Sequence, residues 1–239
     1  MQMMRNAAKR ILNKAGFDLR RIDTPMRSLQ RGISMLSRYV TPASVLDIGV
    51  ARGTPELYSA FPATKSAYLL VEANPNFKTE VERLAVSLSA QHRMVFCGEK
   101  EGTVDFTVYR NQGLSSAYLA ARSLEQLERL TIPTVPLDLL VQETGMKPPY
   151  LLKIDVEGAE LDVLKGALRT LSQTEAVIIE TSIGKRRVGA AEFGDVVCFM
   201  REQGFSVFDL LSGSNWKGRL SLVDAVFVRK DAPFREYGS

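Results

Sequence analysis

The sequence predicts an α/β fold, a doubly wound Rossmann-like sheet that is mostly parallel, with helices on both faces and an antiparallel strand at the edge. Two observations predict it. Apolar runs of strand length alternate with helical patterns along most of the chain, the arrangement of a buried parallel sheet. The last two apolar runs lack a connection long enough for a helix, so they pair antiparallel at one edge.

Taken in order, Leu29, Ile33, Leu36 and Val40 recur at helical spacing, and Thr41-Pro42 stops that helix before the run Ser44 to Ile48. A second run, Ala67 to Val71, follows about 20 residues later, and Thr54 to Tyr58 supplies the crossover of a βαβ unit. Further strands are expected at Met94 to Cys97, Val104 to Tyr109, Tyr150 to Ile154, Ala176 to Thr181, Phe205 to Leu210 and Ala225 to Arg229. Leu161, Leu164, Leu168 and Leu171 mark one helix, and Phe193, Val196, Val197 and Met200 another. The stretch from Asn111 to Thr134 reads as an irregular loop or cap over a binding site. The tail after Lys230 reads as frayed.

At 239 residues and 45% hydrophobic, the chain has ample material for one core. A net charge of +4 with dispersed basic residues argues against a nucleic-acid partner, and Lys185-Arg186-Arg187 reads as a short solvated cluster. Two cysteines, Cys97 and Cys198, form no metal-ligand spacing. No run approaches the ~20 apolar residues of a membrane span, so a cytoplasmic protein is expected. The basic leader places Met4, Ala8, Ile11, Leu12 and Ala15 on one helical face. Covering the core is the simpler role for it, and peripheral contact with the inner face of the membrane is the alternative.

Three strand ends carry chemistry. Asp47-Ile48-Gly49-Val50-Ala51-Arg52-Gly53 places an acid at the end of the first strand and two glycines in the turn that opens a helix, where positive φ lets a ligand approach backbone. This spacing differs from a dinucleotide fingerprint and suits a ligand with a cationic or hydroxylated end, which counts against a nicotinamide-dependent oxidoreductase. Glu72, followed by Ala73 and Asn74, ends the second strand about 20 residues on, where a carboxylate can accept from both hydroxyls of a ribose. Lys153-Ile154-Asp155-Val156-Glu157-Gly158-Ala159-Glu160 puts three acids on the same rim. Asp155 and Glu157 could take a proton from a hydroxyl or hold a divalent cation such as Mg, and Glu180 ends another strand on that rim as a third catalytic or metal candidate. Glu160 has a structural role open to it in the first turn of the next helix, and Lys153 can reach solvent or pair with a carboxylate. The one histidine, His92, precedes a core strand, so a carboxylate base is expected instead.

With these sites in this order the chain resembles the FkbM family of class I S-adenosylmethionine-dependent methyltransferases over roughly residues 44 to 229. The stretch Leu151 to Gly166 is the most specific part. Gly102-Thr103-Val104-Asp105-Phe106, Ser115-Ser116, Thr134-Val135-Pro136-Leu137-Asp138, Ile178-Ile179-Glu180 and Asp224 to Arg229 support it. The expected organisation is a basic amphipathic leader over 1–28, a methyltransferase domain over 29–230 and a tail over 231–239. The resemblance implies S-adenosylmethionine as cofactor, with Asp47, Gly49, Ala51 and Gly53 in the cofactor turn, Glu72, Ala73 and Asn74 at the ribose, Gly98-Glu99 in the adenine wall and Asp155 at the transfer centre. The family usually shows Ala-Asn where this chain has Val50-Ala51, which removes a side-chain amide from the turn. The implied acceptor is a small molecule or glycan with a free hydroxyl, foremost a sugar. A polyketide-like acceptor, or a scaffold that binds cofactor without turnover, is the alternative.

Overall fold

The computed structural model describes residues 11, 12, 14, 15, 17, 28–121 and 124–236. Most of the leader, and with it the expected membrane contact, lies outside the described residues. Among the described residues no helix is long and apolar enough to cross a membrane.

Seven strands form the central sheet: β1 (Ser44–Ile48), β2 (Ala67–Glu72), β3 (Gln91–Met94), β7 (Tyr150–Ile154), β8 (Thr174–Ser182), β9 (Phe205–Trp216) and β10 (Arg219–Arg229). Their order is β3-β2-β1-β7-β8-β10-β9. The first five are mutually parallel, whereas β10 runs antiparallel to both β8 and β9. The expected antiparallel edge is therefore present, and its cause is the tight turn at Lys217-Gly218, where both residues take positive φ.

Successive residues of the central strands face opposite ways. Leu46, Ile48, Leu152, Ile154, Val177 and Ile179 pack into one core with the helices α4 (Leu137–Thr144), α5 (Glu160–Lys165), α6 (Leu168–Ser172) and α7 (Phe193–Glu202). Val45, Leu70, Leu151 and Ile178 pack into the other with α1 (Leu29–Leu36), α2 (Pro55–Ala60) and α3 (Lys78–Leu88). Burial on both faces explains why these strands read as continuous apolar runs. Parallel strands also bring the carboxyl ends of β1, β2, β7 and β8 to one rim, and the order reverses between β1 and β7, the crevice where such sheets bind ligands.

Four expectations need correction. The run Met94 to Cys97 is two strands, with β3 in the central sheet and β4 (Phe96–Cys97) in a separate three-stranded sheet, at whose centre β6 (Gln126–Val135) lies between β4 and β5 (Gly102–Tyr109). The expected loop Asn111 to Thr134 contains most of β6, which pairs with β5 over nearly its whole length. The helix expected across Leu161 to Leu171 breaks at Gly166, where a Cβ would lie 2.1 Å from the carbonyl oxygen of Gly98. The tail beyond Lys230 docks: Phe234 stacks on Tyr39 with ring centroids 4.8 Å apart and meets Phe208 edge-on at 5.5 Å.

Candidate active site

The rim is assembled by backbone contacts that only certain residues permit. Gly49 has φ +82°, its N–H donates to the Val71 carbonyl at 2.8 Å, and a Cβ there would lie 1.8 Å from the carbonyl oxygen of Asp155. The end of β1 and the end of β7 thus touch through a position that tolerates no side chain. Gly53 has φ +91° and packs against Leu84 and Tyr58, while Ala51 holds φ +45° without being glycine. Glu72 braces that turn. Its Oε2 accepts from the Ala51 N–H and its Oε1 from the Asn74 N–H, both at 2.7 Å. Burial pushes the Glu72 carboxyl up, and those two N–H groups partly offset it.

The crevice beside this turn encloses about 280 Å³. Glu72, Asn74, Phe77 and Phe96 line one side, and Asp155, Glu157 and Glu180 the other. Four carboxyl groups face it, and no lysine or arginine is among its lining residues. Gly49, Ala51 and Asp155 also border an adjoining depression lined by Arg52 and Arg110.

The acids of the far wall have different partners. Lys153 is buried, with Nζ 3.2 Å from Asp155 Oδ2 and 3.7 Å from Asp47 Oδ1. Burial pulls its ammonium pKa down, but the Asp155 and Asp47 carboxylates outweigh it and hold it above its ordinary value. Asp47 accepts from Tyr58 Oη at 2.7 Å, and burial raises its carboxyl against the pull of Lys153. Burial pushes Glu180 up to about 10, helped by the charges of Asp155, Glu157 and Asp224 and by a hydrogen bond with Asp155. Burial thus shifts Glu180 towards its neutral form, while Asp155 pairs with the Lys153 ammonium at 3.2 Å. Glu157, at φ +52°, accepts from Arg187 Nη2 at 2.8 Å. Arg187 also donates to the Leu114 and Tyr118 carbonyls at 2.6 and 3.3 Å, which ties the segment before β6 to the rim.

The model of the methyltransferase FkbM domain matches residues 47–207, from the end of β1 into β9. The chain belongs to the FkbM methyltransferase family. Over 55 residues it is 42% identical to the hexuronic acid methyltransferase AglP of Haloferax volcanii, a match covering 23% of this chain and 23% of that protein. The crystal structure of methyltransferase FkbM from Methylobacillus flagellatus KT aligns with a TM-score of 0.52 at 15% identity, over 77% of this chain and 43% of that one. At that identity the likeness is one of fold. The match spans less than half the length of either relative.

In this FkbM domain, Gly49, Ala51, Glu72, Ala73, Asn74, Asp155, Glu157 and Glu180 converge on the crevice. Gly53 borders only the adjoining depression. Asp47, expected at the cofactor, is fully buried beneath the turn and reaches Tyr58 and Lys153 instead. Gly98 and Glu99, expected in the adenine wall, lie off the crevice. Gly98 packs where a Cβ would meet Thr134 Oγ1 at 2.5 Å, and Glu99 is 3.7 Å from Lys100 and 3.9 Å from Lys165. Val95, Phe96 and Cys97 line the crevice instead, because the chain leaves the central sheet there. The metal candidates Asp155 and Glu157 each have a cationic neighbour. Among the described residues no group of three or more His, Cys, Asp or Glu is placed to hold a metal ion, since Glu157 is turned to Arg187 and Asp155 to Lys153.

Arg187 was hidden in the sequence. It reads as one of three solvated cations, yet its side chain is 4% exposed and lies over the Tyr109 ring at 5.7 Å. Its only outward sign is Glu157, a second acid beside the glycine at a strand end, which needs a cation once buried.

Proposed function

We propose that this FkbM domain is an S-adenosylmethionine-dependent O-methyltransferase acting on a hydroxyl of a sugar. The observation that carries the cofactor is the lining of the crevice: four carboxyl groups, with no lysine or arginine among the lining residues, offer acceptors to ribose hydroxyls and to an ammonium group and give a phosphate no cation to pair with. The residues present fit that group. Glu72 would accept from the ribose hydroxyls, and Val95, Phe96 and Phe77 offer apolar walls to an adenine-sized ring. When bound, S-adenosylmethionine supplies a methyl group on a positively charged sulfur.

The chain's own part is to position the acceptor oxygen and take its proton. Asp155 is the base in this reading. Its carboxyl lines the crevice, whereas burial favours the protonated form of Glu180 and Glu157 is held by Arg187 at 2.8 Å. Bound S-adenosylmethionine would supply the methyl group and leave as S-adenosylhomocysteine, and Asp155 would take the proton that the hydroxyl gives up. Lys153 holds that carboxylate in place by a hydrogen bond at 3.2 Å. A sugar acceptor is supported by the name of the hexuronic acid methyltransferase AglP, with which the chain shares 42% identity over 55 residues.

Methyl transfer from labelled S-adenosylmethionine to a panel of hexoses, hexuronic acids and polyketide hydroxyls tests this. Product with a sugar, lost by about a hundredfold or more in Asp155→Asn while S-adenosylhomocysteine still binds, is the expected result. Unchanged turnover in Asp155→Asn would remove Asp155 as base. Cofactor binding without turnover on any acceptor would favour the scaffold.

A further inference from the structure

A second cavity of about 440 Å³ opens on the far side of Arg187, between the end of β8 and the tip of the β9–β10 hairpin. Its lining is opposite in character to the crevice. Lys185, Arg186, Arg187 and Arg219 contribute to it, no acidic residue does, and Trp216 stands in its wall with 49% of its surface exposed. Arg187 is partly neutralised by Glu157 at 2.8 Å, and Arg186 approaches the same carboxylate only to 3.9 Å. Neither Lys185 nor Arg219 has an acidic partner among the described residues, and both are exposed. Four cations around one concavity raise a positive potential that a neutral ligand would not use.

The two cavities share a wall. Glu157 faces the crevice while its partner Arg187 faces the basic cavity, and β8 runs from one to the other, with Glu180 at the crevice and Ile183 and Gly184 at the cavity. Three residues along a strand span on the order of 10 Å, the reach of a monosaccharide bearing one charged substituent. The Ile183 N–H donates to the Ser221 carbonyl at 3.0 Å, which fastens the hairpin tip to the strand end.

The geometry points to an anionic acceptor: a sugar whose hydroxyl reaches Asp155 while its carboxylate or phosphate is held by Lys185, Arg186 and Arg219, with the ring's apolar face against Trp216. Guanidinium groups suit either anion, since both present paired oxygens to the planar donor fork. This deepens the proposed function and rests on it only in taking the bound anion to be part of the methyl acceptor.

The test uses the full chain, with and without saturating S-adenosylhomocysteine, titrated with glucuronic acid, glucose 1-phosphate and glucose, and repeated on the double variant Lys185→Ala/Arg219→Ala. Because both side chains are exposed, their truncation leaves the fold and the S-adenosylhomocysteine affinity unchanged. At least one anionic probe should bind about tenfold or more tightly than glucose, and the double variant should abolish the difference. Preference for glucuronic acid assigns a ring carboxylate, and preference for glucose 1-phosphate assigns a phosphate. Equal binding of the three probes, binding of none, or an anion preference that survives in the double variant overturns the inference. Anion preference in a chain that does not bind S-adenosylhomocysteine would instead retain the cavity and reject the cofactor reading.

Discussion

Replacing Arg187 with alanine should cost the fold far more than replacing its neighbour Arg186. The Arg187 guanidinium makes three hydrogen bonds, to Glu157 Oε2 and to the carbonyls of Leu114 and Tyr118, with its side chain 4% exposed. Its loss would leave the Glu157 carboxylate, 11% exposed, with only Arg186 at 3.9 Å, and two carbonyls without this donor. Removing one partner of a buried ion pair costs about 3–5 kcal/mol, and the residual approach of Arg186 puts this case near the lower end, at about 3 kcal/mol. In a chain of this size that is a fall in Tm of about 6–12 °C. Arg186→Ala removes a distant, more exposed contact and should cost less than about 1 kcal/mol. Urea unfolding of both variants measures the difference. If Arg187→Ala cost no more than Arg186→Ala, the clamp between Glu157 and the segment before β6 would carry no weight.

Two further predictions concern the rim. Glu180, pushed up to about 10 from an ordinary value of 4.5, holds a proton in the folded chain that the unfolded chain releases, so its contribution to stability falls as pH rises between those values. Glu180→Gln removes that titration and should become more stable relative to the native chain from about pH 5 to about pH 9. Parallel stability profiles over that range would show that Glu180 is not the proton holder. Gly49→Ala would set a Cβ 1.8 Å from the Asp155 carbonyl oxygen at φ +82° and should destabilise by about 3 kcal/mol or more in chemical unfolding. A loss below about 1 kcal/mol would mean that the β1 and β7 ends part easily.

The sheet was legible where burial dictates composition. Ser44–Ile48 and Tyr150–Ile154 are buried at every position, so their boundaries coincide with the apolar runs. The place of Glu72 on the rim was legible because it closes an apolar strand about 20 residues beyond the glycine turn, and β1 and β2 lie side by side. By contrast β6, Gln126–Val135, carries Glu128, Arg129 and Pro133 and is mostly exposed, so it lacks the apolar signal of a strand and is held by its pairing with β5. The break between β3 and β4 was invisible because Val95 is apolar in either sheet, and what decides the split is pairing with β6, some 40 residues downstream. Side-chain partners across the fold were the least legible. Asp47 stands in the cofactor motif, yet Tyr58 and Lys153, placed by α2 and β7, take its carboxylate.

The central claim is that the crevice between Gly49 and Asp155 binds S-adenosylmethionine through Glu72. Calorimetric titration of the native chain with S-adenosylhomocysteine, repeated on Glu72→Ala after a thermal melt has shown that the variant is folded, tests it most directly. The account predicts binding by the native chain that weakens by about a hundredfold or more when the carboxylate is removed, since two buried hydrogen bonds to a charged acceptor are lost. A folded native chain that does not bind, or a folded Glu72→Ala variant that binds equally well, would contradict it.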